Sequence, residues 1–106
     1  MSDKLKVMIS QPMRGKTNEQ IRQERAELVK RLEKDNFEVV DTIISENAPK
    51  SCNEAIYYLS KSIEFISKVD IVYFMKNWEK ARGCRIENKI CQDYGKQTMY
   101  NIYEEE

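Results

Sequence analysis

Four short apolar runs, spaced far apart, constrain this chain more than any other feature. They are Lys6-Val7-Met8-Ile9-Ser10, Phe37-Glu38-Val39-Val40-Asp41-Thr42-Ile43-Ile44, Val69-Asp70-Ile71-Val72-Tyr73-Phe74 and Gln97-Thr98-Met99-Tyr100-Asn101-Ile102. Each has the length and β-branched character of a buried strand. Between them lie longer stretches whose apolar residues recur at helical spacing. A strand, a helix and a strand at this spacing predict a right-handed parallel crossover. The chain therefore reads βαβαβαβ, an α/β three-layer sandwich with an open parallel sheet flanked by helices. The long second connection leaves room for a change of direction, which predicts strand order 2-1-3-4 and a switch point between strands 1 and 3.

The helices carry their own boundaries. Thr17 with Gln20 three residues on is a capping box, and Ile21, Leu28, Val29 and Leu32 form the apolar stripe that follows. Glu24, Arg25, Glu27, Lys30, Arg31 and Glu33 read as a solvated face. Residues 45–50 form a polar loop with Pro49. Ser51 and Glu54 predict a second capping box, and the helix runs to about Lys68 with Ile56, Leu59, Ile63 and Ile66 as its buried stripe and Tyr58 and Phe65 at the margins. Ser62 points inward with that stripe. Winding residues 84–94 puts Cys84, Ile86, Ile90, Cys91 and Tyr94 on one side and Arg85, Asn88, Lys89, Gln92 and Asp93 on the other. Glu87 falls inside the apolar sector. Gly95 ends this helix. Asp70, at the entrance of strand 3, reads as a structural cap, and Glu104-Glu105-Glu106 as a frayed tail.

The length of 106 residues predicts one domain over 1–106. Eighteen basic and 18 acidic side chains cancel, so no broad basic field draws in a nucleic-acid polymer or a membrane surface. No apolar run approaches bilayer length, and Met1-Ser2-Asp3-Lys4-Leu5-Lys6 lacks a signal-peptide core. The three cysteines, Cys52, Cys84 and Cys91, are odd in number and lack ligand spacing. With no histidine in the chain, neither a zinc site nor a Ser-His or Cys-His pair is expected. The expectation is a reduced cytoplasmic protein without metal or cofactor, with Cys84 and Cys91 as small core residues. Acid–base chemistry then falls to carboxylates, tyrosines or lysines. Two open sheet edges on so small a domain predict a homodimer or larger homo-oligomer.

The predicted switch point brings two loops face to face, and ligands bind such sheets at that crevice. The first, Gln11-Pro12-Met13-Arg14-Gly15-Lys16-Thr17, joins a glycine, two cations and a helix start, which suits a phosphate; its plain alternative is a tight turn with solvated charges. The second carries Trp78, Arg82 and Gly83. Trp78 stacks on a base or sugar, or covers the edge of the core. Glu87 follows one turn into the next helix. An inward carboxylate there is costly unless satisfied by a partner or used. It is either a structural acid or a group facing an anomeric carbon, able to attack it or to stabilise an oxocarbenium ion. Tyr57, Tyr58 and Tyr73 are packing residues or hydrogen-bond partners.

Ile9-Ser10-Gln11-Pro12-Met13-Arg14-Gly15-Lys16, the stretch from Ser62 to Asp70-Ile71-Val72-Tyr73, and Gly83-Cys84-Arg85-Ile86-Glu87 together resemble the nucleoside 2-deoxyribosyltransferase superfamily. The first stretch is most similar to its 2-deoxynucleoside 5-phosphate N-hydrolase branch. The likeness covers roughly residues 5–100, and the chain also resembles small phage and bacterial proteins placed near that superfamily. The resemblance implies a Rossmann-like, flavodoxin-like fold and a nucleoside or nucleotide pocket, in the cytoplasm of a bacterium or phage-infected cell. It implies that Glu87 attacks C1 of the deoxyribose, that Arg14 and Gly15 hold phosphate, and that Gly83 precedes the catalytic helix. The pattern also departs from the family. Ser62 stands where an aspartate positions or protonates the base, and Ala81 where the transferases hold the sugar with an aspartate. Family members complete the pocket from a neighbouring subunit through segments after strand 4, and this chain carries almost nothing there. The resemblance therefore implies an N-glycosidase or deoxyribosyltransferase-like enzyme, and with the loop residues read above the expected pocket is lined by Gln11, Pro12, Met13, Arg14, Gly15, Lys16, Ser62, Trp78, Arg82 and Gly83. The alternative is a non-catalytic nucleotide-binding protein, such as one that sequesters a signalling nucleotide.

Overall fold

In a computed structural model, residues 4–44 and 47–104 are described. The elements follow in order: β1 (Lys6–Ser10), α1 (Asn18–Lys34), β2 (Glu38–Val39), α2 (Glu54–Ile66), β3 (Ile71–Phe74), a 3-10 turn at Trp78–Lys80, α3 (Arg82–Tyr94) and β4 (Gln97–Tyr100). The four strands form one parallel sheet of order β2-β1-β3-β4. The fold is thus an α/β sheet wound in both directions from its centre, as the spacing of the apolar runs predicts.

Alternation along the central strands divides the core into two layers. Val7, Ile9, Ile71 and Tyr73 pack against Leu28 and Leu32 of α1. Met8, Val72 and Phe74 point the other way, toward Ile66 of α2 and Cys91 of α3. So α1 covers one face, and α2 and α3 share the other. The adjacent strands β1 and β3 send their chains to opposite faces, which puts the topological switch point at their carboxyl ends. Asp70 accepts from the Lys6 backbone N–H at 2.8 Å, at the opposite end of the sheet. It caps the start of β1, as its position predicts.

Several boundaries and burial assignments differ from the sequence reading; β3 begins at Ile71 rather than Val69 and α2 ends at Ile66 rather than near Lys68. The second strand is two residues long rather than eight. Beyond Val40, whose N–H still reaches the Val7 carbonyl, Asp41 turns the chain out of the ladder. Its carboxylate accepts from the Ile43 N–H and from Arg22, at 3.0 Å each, giving the backbone an alternative to strand pairing. The N-cap of α2 is Asn53, whose side chain accepts from the Ile56 N–H at 3.1 Å. Ser51 lies outside the helix, in the turn closed by Cys52 N–H and the Pro49 carbonyl, so the predicted Ser51–Glu54 capping box does not form. The Thr17–Gln20 box does, with both reciprocal bonds present. α3 starts at Arg82, two residues early, with Ala81 as an N-cap that supplies no side-chain bond. β4 stops at Tyr100 because Asn101 turns to φ +27°.

The predicted stripe of α2 is only partly buried. Ile66 is in the core, whereas Ile56 is 64% and Ile63 38% exposed. Two helices sharing one face of a four-stranded sheet leave α2 little strand surface to cover.

The C-terminal segment is not frayed at Glu104. Tyr103 lays its ring beside Tyr73, with centroids 6.2 Å apart. Its carbonyl accepts from Arg31 at 2.6 Å, and its hydroxyl bonds to Asp35. The Glu104 carboxylate accepts from the Lys76 N–H. Glu105 and Glu106, the loop residues Ser45 and Glu46, and Met1-Ser2-Asp3 lie outside the described residues. Among the described residues, no helix is long and apolar enough to cross a membrane.

Candidate functional site

The carboxyl end of β1 is bonded to a helix on each face. Strand alternation turns Ser10 toward α3 and Gln11 toward α1. On the α3 side, the Ser10 hydroxyl donates to Glu87 Oε1 at 2.6 Å. Glu87 is 8% exposed, inside the helix as winding predicts. Burial drives its carboxyl above the ordinary carboxylate range, and hydrogen bonds from Ser10 and Ser62 draw it only part of the way back. Ser62 therefore does point inward from α2, onto the acid. Cys84, one turn before Glu87, lies within hydrogen-bonding reach of Ser10, and burial pushes its thiol up to about 11. Burial takes Cys91 to about 11 as well. Both thiols are protonated at neutral pH and serve as small core residues rather than nucleophiles.

On the α1 side, Gln11 is buried. Its Nε2 donates to the Ile21 carbonyl at 3.2 Å and to Glu24 at 2.9 Å, while its Oε1 accepts from Arg25 Nε at 2.8 Å. Lys16 donates to the same Glu24 oxygen at 2.9 Å. Hydrogen bonds from Lys16 and Gln11 hold the Glu24 carboxylate below its usual range. The loop is thus pinned to α1 at both ends. Between the pins, Lys16 N–H bonds to the Met13 carbonyl and Gly15 takes φ +80°, a conformation that glycine adopts without a Cβ clash. Met13, Arg14 and Gly15 stand exposed at the tip and Pro12 is half-buried. Of the two cations assigned to phosphate, Arg14 faces solvent and Lys16 is held by Glu24.

Arg25 is the clearest departure from the sequence reading. It is 5% exposed, not part of a solvated face. The signal was present: Ile21, Arg25, Leu28 and Leu32 follow the i, i+4, i+7, i+11 spacing of the buried stripe. Burial lowers its guanidinium to about 10 against the opposing pull of Asp41, so it stays charged at neutral pH. Its Nη2 is the one buried side-chain polar atom without a hydrogen-bond partner among the described residues. Ser10 could also have been found, since alternation from Met8 sends it to the α3 face.

Trp78 packs with Phe74 and Tyr100 at centroid distances of 5.2 and 5.6 Å, and so covers the edge of the core. Arg82 and Gly83 are exposed in the first turn of α3. A Cβ on Gly83 would meet no atom within 4 Å, so packing alone does not require glycine there. The tyrosines stand apart from the acid. Tyr73 Oη accepts from the Tyr103 N–H at 3.0 Å, and Tyr57 and Tyr58 form an edge-on pair at 5.5 Å. Among the described residues no group of three or more His, Cys, Asp or Glu side chains is placed to hold a metal. The predicted residues thus gather into three groups: Glu87 with Ser62 and the start of α3, Gln11 with Lys16 on α1, and Trp78 in the aromatic cluster.

A family model described as a domain of unknown function (DUF4406) matches residues 5–100. No curated protein and no solved structure matches the chain.

Proposed function

The chain belongs to the DUF4406 family, and we propose that within this fold it cleaves or exchanges the base–sugar bond of a (deoxy)nucleoside 5-phosphate, with Glu87 as nucleophile. The observation that carries this reading is the position of Glu87, a buried carboxyl bonded to the end of β1 at the topological switch point of the sheet. Such an acid is costly to bury, and its site is where sheets of this kind take ligands. The likeness of Gly83-Cys84-Arg85-Ile86-Glu87 and Met13-Arg14-Gly15 to deoxyribosyltransferase motifs supports the substrate class.

In this mechanism the Glu87 carboxylate attacks the anomeric carbon as the base leaves with the bonding pair. Water oxygen then bonds to the anomeric carbon as the bond to Glu87 breaks, giving sugar phosphate and free carboxylate, and the proton that water loses passes through solvent to the departed base. Ser10 fixes the nucleophile by its hydrogen bond. Arg14 at the exposed loop tip meets the phosphate, whereas Lys16 orders the loop through Glu24 instead of binding substrate. Hydrolysis is favoured over transfer, because Ala81 replaces the carboxylate that would hold the sugar. The attacking group must be ionised, so kcat should rise with pH through a value above the ordinary carboxylate range.

One observation favours a second reading, nucleotide binding without turnover. Burial favours the protonated form of Glu87 over the carboxylate that must attack, and Ser62 supplies no acid for the departing base. A panel of deoxynucleotides incubated with the protein and chromatographed for free base separates the two. Base release that is lost in Glu87→Gln, with the fold intact, is the expected outcome. A ligand-induced rise in Tm with no base released rejects catalysis in favour of binding; at a hundred times its Kd, the ligand adds about 2.7 kcal/mol.

A further inference from the structure

Glu87 is buried without a counter-charge, and one wall of its site is the least anchored helix of the fold. From β1 the acid meets the Ser10 hydroxyl, which donates to Oε1 at 2.6 Å. From α2 it meets Ser62, and on its own helix the protonated thiols of Cys84 and Cys91 lie within reach of its charge. The face of β3 beneath α2 and α3 carries Val72 and Phe74, both apolar. Lys96 acts on Cys91 rather than on Glu87 and is held by the Val69 carbonyl at 2.7 Å. Among the described residues no cation pairs with Glu87. Its charged form is therefore met by two hydroxyls alone, which is a poor exchange for water.

α2 supplies one of those hydroxyls but is weakly held. Only Ile66, its last residue, is fully buried, and an open groove of about 440 Å³ walled by Ile63, Ile66, Ile90 and Tyr94 lies between it and α3. The segment that opens most readily is the one with the fewest apolar contacts to break. Swinging α2 away takes Ser62 from Glu87, but it also admits water to the acid. We propose that the docking of α2 is a proton-controlled latch: the helix closes on neutral Glu87, and ionisation of Glu87 favours its opening. Burial outweighs the two hydroxyls in raising the acid above its ordinary 4.5, and opening relieves burial. The open form therefore releases the proton at lower pH than the closed form. By linkage, the opening equilibrium is flat below the open-form value, rises about tenfold per pH unit above it, and levels off beyond the closed-form value. The coupling is reciprocal, so opening α2 ionises Glu87 as ionising Glu87 opens α2. The latch does not depend on the proposed chemistry.

Native-state hydrogen exchange of the full chain, followed by NMR from mildly acid to mildly alkaline pH and corrected for intrinsic rates, tests it. In the wild type, the opening constant of α2 amides should rise with pH as steeply as that of β3 amides, which report global unfolding. In Glu87→Gln, which keeps an acceptor for Ser10 and has no proton to lose, the part of the rise due to Glu87 should vanish from both. Ser62→Ala takes a donor from the carboxylate and so raises its closed-form value. The rise in α2 opening should then continue to higher pH than in the wild type, and this variant carries the test if Glu87→Gln does not fold. An α2 opening with the same pH dependence in wild type and variants overturns the latch. So does a Glu87-dependent rise confined to β3 amides, which would mean that the acid stays dry while α2 is open. So do α2 amides that exchange only by global unfolding at every pH.

Discussion

Glu87 gives the sharpest residue-scale expectation, because its environment sets the sign of a pH effect. Its ordinary value is 4.5, and burial raises it in the folded protein against the pull of Ser10 and Ser62. Between these two values the folded protein keeps a proton that the unfolded chain has released. The contribution to stability is therefore complete below the unfolded value and is lost as pH rises through the folded one. Glu87→Gln keeps the volume and an acceptor for Ser10 but has no proton to lose. Urea unfolding from mildly acid to mildly alkaline pH should show the wild type losing stability with rising pH more steeply than Glu87→Gln. Parallel pH profiles for the two proteins would mean that Glu87 is not held protonated by its site.

Arg25 allows a second residue-scale test. Arg25→Ala leaves the Gln11 carbonyl oxygen without its donor and opens a cavity behind β1, for a loss of about 2–4 kcal/mol. Arg25→Met keeps most of the volume and removes a buried charge whose Nη2 has no partner among the described residues. Its cost should stay below about 1.5 kcal/mol. Equal losses in chemical denaturation would put the whole effect in the hydrogen bond to Gln11 and none in packing.

At the scale of elements, sequence spacing was most informative where one face of an element is buried and the other wet. The four runs marked the strands because β1 and β3 are buried along almost all of their length, and the long second connection set the order by leaving room for a change of direction. Winding gave Glu87 its inward orientation because α3 has a polar face to contrast with its apolar one. Legibility failed where a side chain competed with the backbone: Asp41 ended β2, and Asn53 displaced Ser51 as the cap of α2. Both Asn and Ser are good N-caps, so the choice rested on the turn at Pro49–Cys52, which periodicity does not see. Arg25 was hidden by its type rather than its position. The cap assignment predicts a contrast in thermal or urea unfolding. Asn53→Ala should cost about 1 kcal/mol, while Ser51→Ala should fall within about 0.5 kcal/mol of wild type. The reverse order would restore the Ser51 capping box.

At the scale of the whole molecule, the two layers are unequally closed. On the α1 side, Leu28 and Leu32 meet Val7, Ile9, Ile71 and Tyr73, and Tyr103 locks over Tyr73 by its ring and N–H and to Arg31 and Asp35 by its carbonyl and hydroxyl. On the other side, α2 commits only Ile66 to full burial. Local opening follows the apolar contacts it must break, so α2 should open by itself while β1, β3 and α1 stay folded. Native-state hydrogen exchange should show this directly. Amides of β1 and β3 should exchange only through global unfolding, with free energies that track denaturant. Amides of α2 should exchange through a smaller opening that is nearly insensitive to denaturant. An α2 as protected as β3 would show that the two layers form a single cooperative unit, and that the exposed isoleucines of α2 are not a sign of loose attachment.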